Sequence, residues 1–251
     1  MLEPTIAGRL DLREYPLNVK AIMKQKWRDL LFLHWEYDSE AIQKTLPKGL
    51  YVDRYLGKSY ITVTPFCMKD LTFNIMFPLP KIKDFFEINV RTYVYDENGT
   101  PGVWFYSLDA NSEIVVQMAN MFFHLPYYSA EIQSAENDKG QISYQSKRLN
   151  TNDSIKFLYK KVDKSLEVPP TSLDFFLIER YVLYAKKESG QLIKGQIHHT
   201  PYQLYHADVE RWDDTLFELD GLMRPNTKPT LAHYSPGVDV DVFAPSDITV
   251  K

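Results

Sequence analysis

The residues best suited to bind or transform a small molecule lie on one predicted strand, residues 86–95. Glu87, Asn89 and Arg91 alternate along it, so all three share one face. Arg91 is the only lysine or arginine within residues 84–138. A guanidinium among aromatic residues is costly to bury unless a partner group pairs with it. A ligand or water between Glu87 and Arg91, roughly 13 Å apart along a strand, would supply that partner. The alternation equally allows this face to point into solvent.

A second strand, VWFYSLDA, follows a turn at Asn98-Gly99. A two-residue hairpin there pairs Arg91 with Tyr106, which favours a cation–π or anion site. A one-residue bulge at Pro101-Gly102 would flip the partner face instead. The side chains near Arg91 would then be Phe105, Ser107 and Asp109. Both registers stay open at this stage.

The candidate ligand-binding residues therefore come from these two strands and from the Pro-Tyr-Tyr corner that follows them. They are Glu87, Asn89, Arg91, Trp104, Tyr106, Asp109 and Tyr127. From these residues alone the catalytic residues are unknown.

The elements that must position these residues are mostly strands. Many short alternating runs separated by turn residues predict one twisted antiparallel sheet or partial barrel. Helical spacing or capping residues predict helices at 19–30, at 40–46, ahead of 122–128 and at 173–180. Residues 66–84 show no period and predict an apolar loop, serving as a lid, as an interface or simply as packing over the core. We expect a single domain over 1–251, with 1–16 as a loose lead-in.

Composition excludes several classes of protein. The 251 residues carry a net charge of −4 and 14% aromatic residues, which favours sheet and argues against a nucleic-acid binder. The single cysteine, Cys67, allows no intramolecular disulfide. No signal peptide or membrane span is evident, so we expect a cytoplasmic protein that does not bind membranes.

No motif points to a metal or cofactor. The six histidines form no HxH or HxxxH pair, and there is no GxSxG, GxGxxG or phosphate loop. We therefore expect neither. His34 fits a hydrogen-bonded core histidine better than a ligand. We interpret Glu179-Arg180-Tyr181 as a structural ion pair, although these residues could also line the same cavity.

Short motifs from about residue 25 to 240 carry a resemblance to a known family. They are Phe32–Trp35, Leu46–Leu50 with Asp53, Pro65–Phe66, Glu87–Val94, Gly102–Ala110, Leu125–Tyr128 and Glu179–Tyr181. Together they resemble the YqjF-like family of uncharacterised bacterial proteins, the domain of unknown function 2071. That family is in turn similar to acetoacetate decarboxylase. The resemblance implies an α+β, mostly β fold: an incomplete, cone-shaped antiparallel β-barrel with a few outer helices.

The resemblance also assigns roles to individual positions. Glu87 is similar to the strand glutamate of the decarboxylase, Asp109 to its aspartate and Pro126 to the proline before its Schiff-base lysine. Two positions depart from that pattern, with Asn120 in place of an arginine and Tyr127 in place of the lysine. Decarboxylation by that route needs an amine, because the iminium is the electron sink. We therefore expect no Schiff-base decarboxylation, unless a distant lysine such as Lys194 reaches the cavity.

Three functions remain open from the sequence. The first is a protein that binds an organic acid or a carbonyl or phenolic compound in a central cavity. The second is an enzyme that uses Glu87 and Tyr127 for proton transfer or hydrolysis on such a compound. The third is a protein without a pocket function whose aromatic surface supports homo-oligomerisation. The expected partner is a small molecule, with a homo-oligomer as an additional possibility.

Overall fold

The structure is a computed structural model that describes residues 2–74 and 82–248. Its strands are β1 Met23–Tyr37, β2 Leu50–Val52, β3 Ser59–Phe73, β4 Phe85–Asp96, β5 Pro101–Ala110, β6 Tyr127–Glu136, β7 Ile142–Arg148, β8 Ile155–Ser165, β9 Val182–Lys186, β10 Leu192–His198, β11 Tyr205–Arg211, β12 Leu231–Val242 and β13 Ser246–Asp247. Its helices are α1 Ile6–Asp11, α2 Ser39–Thr45, α3 Glu113–Phe123, α4 Leu173–Ile178 and α5 Thr215–Leu219. The prediction of a mostly β chain is confirmed.

All strands of the described residues belong to one sheet that closes on itself. β5 pairs with β4, β6 and β9, and β12 pairs with β1, β10 and β11. The strands β12, β1, β3, β4, β5, β9 and β10 therefore form a closed circuit, called here the seven-strand ring. Most pairs are antiparallel, as predicted, while β5 runs parallel to β6 and β9.

Two hydrophobic cores lie on opposite faces of β1, β3 and β4. The core inside the ring contains Phe32, Tyr60, Phe66, Tyr93 and Phe176. The other core contains Leu33, Ile61, Val90, Phe157 and Phe217. Because residues 30–35, 59–68 and 87–96 of these strands are buried on both faces, their sequences lose the alternation that marks a half-exposed strand.

Irregular stretches of β1 and β3 explain two wrong predictions, because residues 24–29 and 69–73 are mostly not fully buried and include the left-handed residues Asp29 and Asp70. Residues 19–30 are not a helix, since β1 begins at Met23. Asp29 adopts a left-handed backbone, with φ of 55°, inside a register shift that interrupts the period of two. β3 likewise runs on to Phe73, so residues 66–73 are not a loop. The predicted loop around Ile75, Met76 and Phe77 lies outside the described residues.

The N-terminal segment is not the loose lead-in that was predicted. It forms α1, and Arg9 and Arg13 on that segment ion-pair with Asp53 at 2.8 Å and Glu179 at 3.0 Å. Both carboxylates are buried, so salt in the solvent screens these two ion pairs less than it would screen exposed ones. The single-domain prediction stays a prediction, supported by the one continuous sheet. Within the described ranges, none of the helices has the length and apolarity needed to cross a membrane.

Candidate functional site

The face of β4 that carries Glu87, Asn89 and Arg91 points into the seven-strand ring. Their exposures are 2%, 5% and 8%, so the solvent-facing alternative is wrong. The three side chains line a cavity of about 360 Å³ in the described part of the chain, together with Tyr127. This volume lies within the range of small-molecule pockets.

The register between β4 and β5 combines features of both predicted alternatives. Glu87 lies opposite Ala110, as in the unbulged hairpin, whereas Arg91 lies opposite Phe105, as in the bulged one. The register shifts between Val90 and Arg91, so the extra residue is Tyr106 and the bulge is not at the predicted place. As a result, Phe105 lines the cavity next to Arg91.

The remaining three candidates do not line the cavity, and the bulge explains why. Trp104 packs against the small core of β9 and β10. Tyr106 packs into the second core and its hydroxyl lies 2.8 Å from Thr45 Oγ1. Asp109 accepts two hydrogen bonds from Arg148, whose guanidinium also pairs with Asp220 at 2.9 Å. The prediction that these three bind the ligand is corrected accordingly.

The cavity walls are predominantly apolar. They include Phe66, Met68, Phe85, Phe105, Val115, Met118, Phe123 and Tyr202. Phe122 of α3 also lines the cavity while being 60% exposed, so this helix borders the opening. An apolar wall with a few convergent polar groups is the usual composition of a ligand site.

Glu87 and Tyr127 form a hydrogen-bonded pair on the cavity wall. The Tyr127 hydroxyl donates to Glu87 Oε2 at 2.8 Å, and Asn89 Nδ2 donates to Glu87 Oε1 at 3.4 Å. Burial raises the pKa of Glu87 to about 7, although both hydrogen bonds oppose this. Burial and the neighbouring carboxylate raise the pKa of Tyr127 well above its usual range. The pair can therefore bind or release one proton near neutral pH.

Asn120 holds the backbone of Tyr127 through two hydrogen bonds. Its Oδ1 accepts from the Tyr127 backbone N–H at 2.9 Å, and its Nδ2 donates to the Tyr127 carbonyl at 3.1 Å. The side chain therefore spaces α3 from the start of β6 and orients Tyr127. An arginine at this position could not make the same two hydrogen bonds, because its side chain has no acceptor.

Arg91 is buried without an opposite charge. Its guanidinium lies over the Phe32 ring at 5.4 Å, and its Nε has no hydrogen-bond partner. Among the described residues no carboxylate forms an ion pair with it. The distance to Glu87 along β4 is roughly 13 Å, too far for a direct contact. A buried cation in this state is an attractive site for an anion.

Arg180 and Thr64 also line the cavity, although the sequence analysis named the first only tentatively and missed the second. Arg180 lines the cavity, which confirms the suggestion made for it, and it pairs with Asp53 at 2.6 Å rather than with Glu179. Its Nη2 lacks a partner, as do Thr64 Oγ1 and Asn89 Oδ1. Thr64 was missed because only its pairing with Asn89 across β3 and β4 brings it to the site.

No lysine lines the cavity within the described residues. Lys194, considered as a distant amine, lies on β10 opposite Tyr184 and Ser246 and is not part of the wall. Across residues 2–74 and 82–248, no group of histidine, cysteine and carboxylate side chains is arranged to hold a metal ion.

Comparison with known proteins agrees with this architecture. The structure superimposes on acetoacetate decarboxylase from Legionella pneumophila with a TM-score of 0.68 and 13% identity, over 99% of this chain and 96% of that one. It also superimposes on the enduracididine biosynthesis enzyme MppR complexed with pyruvate, with a TM-score of 0.65 and 11% identity, over 94% and 93%. At these identities the likeness shows the fold alone, which is that of acetoacetate decarboxylase.

Sequence similarity is much closer within one family. The uncharacterized protein YqjF of Bacillus subtilis (strain 168) is 36% identical over 220 residues, which is 87% of this chain and 89% of YqjF. The model of the DUF2071 family, described as an uncharacterized conserved protein, matches residues 24–239. The chain belongs to the DUF2071 family.

Proposed function

We propose that this protein binds a small organic carboxylate with an apolar body, oriented by Arg91. The single observation that carries the proposal is the burial of Arg91 without an ion-pair partner among the described residues. Retaining an unpaired buried cation costs several kcal/mol. A ligand carboxylate would remove that cost through charge-assisted hydrogen bonds.

The neighbouring groups indicate what else the ligand carries. Asn89 Oδ1 is an acceptor and Thr64 Oγ1 a donor or acceptor, and both are buried without partners. A hydroxyl or carbonyl group near the carboxylate would satisfy them. The aromatic walls fit the hydrocarbon or phenolic part of such a compound. The ligand class is therefore an organic acid that also bears a carbonyl or hydroxyl group.

The fold neighbours support the same class. One of them is described as complexed with pyruvate, a small keto acid, which is a statement about that enzyme. For the present chain it only supports the proposal that a cavity of this fold can hold a carboxylate beside a carbonyl. The binding site of this chain still has to recognise the anion with its own residues, and Arg91 is the residue available for it.

Calorimetric titration with hexanoate, benzoate and 4-hydroxybenzoate, each compared with its uncharged amide, tests the proposal. We expect the acids to bind and the amides to bind far more weakly. Arg91→Gln should weaken acid binding roughly thirtyfold or more, the usual cost of removing one partner of a buried charge pair. Arg54→Gln, at an exposed position, is the matched control. Equal binding of acid and amide would overturn the proposal.

A second candidate function, an enzyme, is favoured by the Glu87–Tyr127 pair. A carboxyl with a pKa of about 7, hydrogen-bonded to a phenol on the same wall, matches what a general acid or base needs. Glu87→Gln and Tyr127→Phe should then abolish conversion of a bound keto acid while leaving its binding. Borohydride with a β-keto acid should trap no adduct, because no lysine lines the described cavity. Detection of a trapped lysine adduct would contradict this expectation.

A further inference from the structure

A second cavity, of about 190 Å³, lies on the side of β3 and β4 that faces away from the seven-strand ring. Its walls come mainly from β3 and β4 on one side and from β6, β7 and β8 on the other. Cys67 and Phe86 pair across β3 and β4 and line it, whereas the next residue, Glu87, lines the first cavity. Neither the predicted site nor the proposed function uses this second cavity.

The register of β6, β7 and β8 places a carboxylate and a phenol in one row along a wall of this cavity. Glu136 lies opposite Ile142, which lies opposite Tyr159, and Ser134 lies opposite Tyr144 in the next inward row. All five residues line the cavity. Residues paired across antiparallel strands share a face of the sheet. Because neighbouring strands lie about 4.8 Å apart, the backbones of Glu136 and Tyr159 are roughly 10 Å apart, and both side chains reach the same space.

Two carboxylates border the opening of the second cavity. Asp29 and Glu136 are exposed lining residues, and neither forms an ion pair within residues 2–74 and 82–248. Asp29 accepts a hydrogen bond from the Tyr234 hydroxyl at 2.8 Å. Lys69, the one basic side chain of the described lining, is exposed and pairs with neither carboxylate. The lining therefore has one negative charge in excess, and no group of described side chains is arranged to hold a metal ion.

Tyr159 provides an observation that is independent of the carboxylates. This residue is 1% exposed and lines the cavity, yet its hydroxyl hydrogen-bonds to none of the described residues. Tyr144, on the neighbouring strand β7, differs because its hydroxyl donates to the Glu87 carbonyl at 2.8 Å, and its ring meets the Phe86 ring edge to face at 6.0 Å. A buried hydroxyl without a partner is costly, and aromatic rings attract cations. Both features indicate a ligand that brings a positive charge and N–H donors.

We propose that the second cavity binds a small primary ammonium compound. The carboxylates of Asp29 and Glu136 and the phenol oxygen of Tyr159 supply three acceptors, which match the three N–H donors of a primary ammonium group. The hydrocarbon part of the ligand packs against the rings of Phe86 and Tyr144. The cavity volume is below the usual range for drug-sized ligands, which restricts this part to a short chain. The site is separate from the first cavity and takes a ligand of the opposite charge.

An NMR titration of the backbone amide resonances with n-butylammonium chloride tests the proposal. Butanol is uncharged and tetramethylammonium has no N–H donor, so both should bind at least tenfold more weakly than butylammonium. Tyr159→Phe should weaken butylammonium binding roughly threefold or more, because it deletes one hydrogen bond and keeps the ring. Glu136→Gln should weaken binding at least as much. Glu131→Gln is the matched control, because Glu131 is exposed on the outer face of the same strand and does not line the cavity.

A substitution of Lys69 should change the affinity in the opposite direction. Lys69→Gln removes a repelling charge from the lining and should tighten butylammonium binding about twofold. Equal binding of butylammonium and either butanol or tetramethylammonium would overturn the proposal, as would wild-type affinity in both Tyr159→Phe and Glu136→Gln. The absence of any shift at the resonances of lining residues would overturn it as well. None of these results would bear on the proposed function of Arg91, because hexanoate binding is measured in the first cavity.

Discussion

At the scale of single residues, the site depends on two charges placed in an apolar cavity with different partners. Burial favours the neutral form of Glu87, so this side chain can take up a proton although it accepts two hydrogen bonds. Arginine side chains stay charged in proteins, and Arg91 has no carboxylate partner among the described residues. The cavity thus contains a carboxyl group, on Glu87, that can become neutral, and a guanidinium, on Arg91, that can bind an anion.

The raised pKa of Glu87 predicts a pH-dependent stability. A pKa of about 7 in the folded state exceeds the ordinary value of 4.5, so the folded state binds this proton more tightly. The stabilising contribution is complete below about pH 4.5 and is lost as the pH rises through 7. The total is on the order of 3 kcal/mol. Glu87→Gln should remove this slope between pH 5 and 8 in urea unfolding. Glu131→Gln, exposed on β6, should retain it; an unchanged slope in Glu87→Gln would disprove the assignment.

At the scale of elements, irregularities in the strands decide which side chains meet. The bulge at Tyr106 turns Phe105 toward Arg91 and turns Trp104, Tyr106 and Asp109 away from the cavity. The left-handed Asp29 similarly interrupts β1 next to Arg28, which pairs with Gly237 of β12. These interruptions let long strands curve around two cores while their ends stay paired.

Substitution should be least tolerated at Gly237, where β12 passes very close to the backbone of β1. It has a φ of 133°, and a Cβ there would lie 2.0 Å from the Trp27 carbonyl oxygen. Gly237→Ala should therefore reduce the free energy of unfolding by about 3 kcal/mol or more, since backbone would have to move. Gly190→Ala is the matched control, because its φ is also positive but nothing lies within 4 Å. Urea denaturation of both variants should show a clearly larger loss for Gly237→Ala, and equal losses would refute the steric explanation.

At the scale of the whole molecule, one sheet surrounds both cores. The strands β1, β3 and β4 contribute one face to the cavity core and the other to the second core. The N-terminal segment is attached to the cavity end through Arg9, Asp53 and Arg180, which meet in one buried cluster. Disruption of either core therefore acts on strands that the other core needs. Homo-oligomerisation through the aromatic surface stays a prediction.

This sharing predicts that the chain unfolds as a single domain. Differential scanning calorimetry should show one transition, with the calorimetric enthalpy equal to the van't Hoff enthalpy. A substitution in the second core, such as Phe157→Leu, should lower the midpoint of that one transition without splitting it. Two separable transitions would contradict the single-domain prediction for residues 1–251.

Much of the fold and part of the site follow from local sequence. Short alternating runs and turn residues predicted a mostly β chain, and the family motifs predicted the decarboxylase-like fold that the structure has. Alternation placed Glu87, Asn89 and Arg91 on one face, and the motif at the Pro-Tyr-Tyr corner identified Tyr127 at the lysine position. These statements need only the period of a strand or the identity of a residue. The helix at 19–30 failed because the register shifts of β1 and the left-handed Asp29 interrupt the period of two that distinguishes a strand.

What only the tertiary structure decided is which groups meet. Alternation is symmetric between the two faces of a strand, so the choice between cavity and solvent depends on distant strands that close the ring. The single extra residue at Tyr106 reverses which face of β5 the following side chains occupy. Asp109 is excluded from the cavity by Arg148, 39 positions away, and His34 meets His233 across 199 positions. The sequence by itself determined the family and the polar face of β4. The closure of the sheet determined that Arg91 is buried with no carboxylate partner among the residues that the structure describes, because charge pairing is a property of distances that no local pattern encodes.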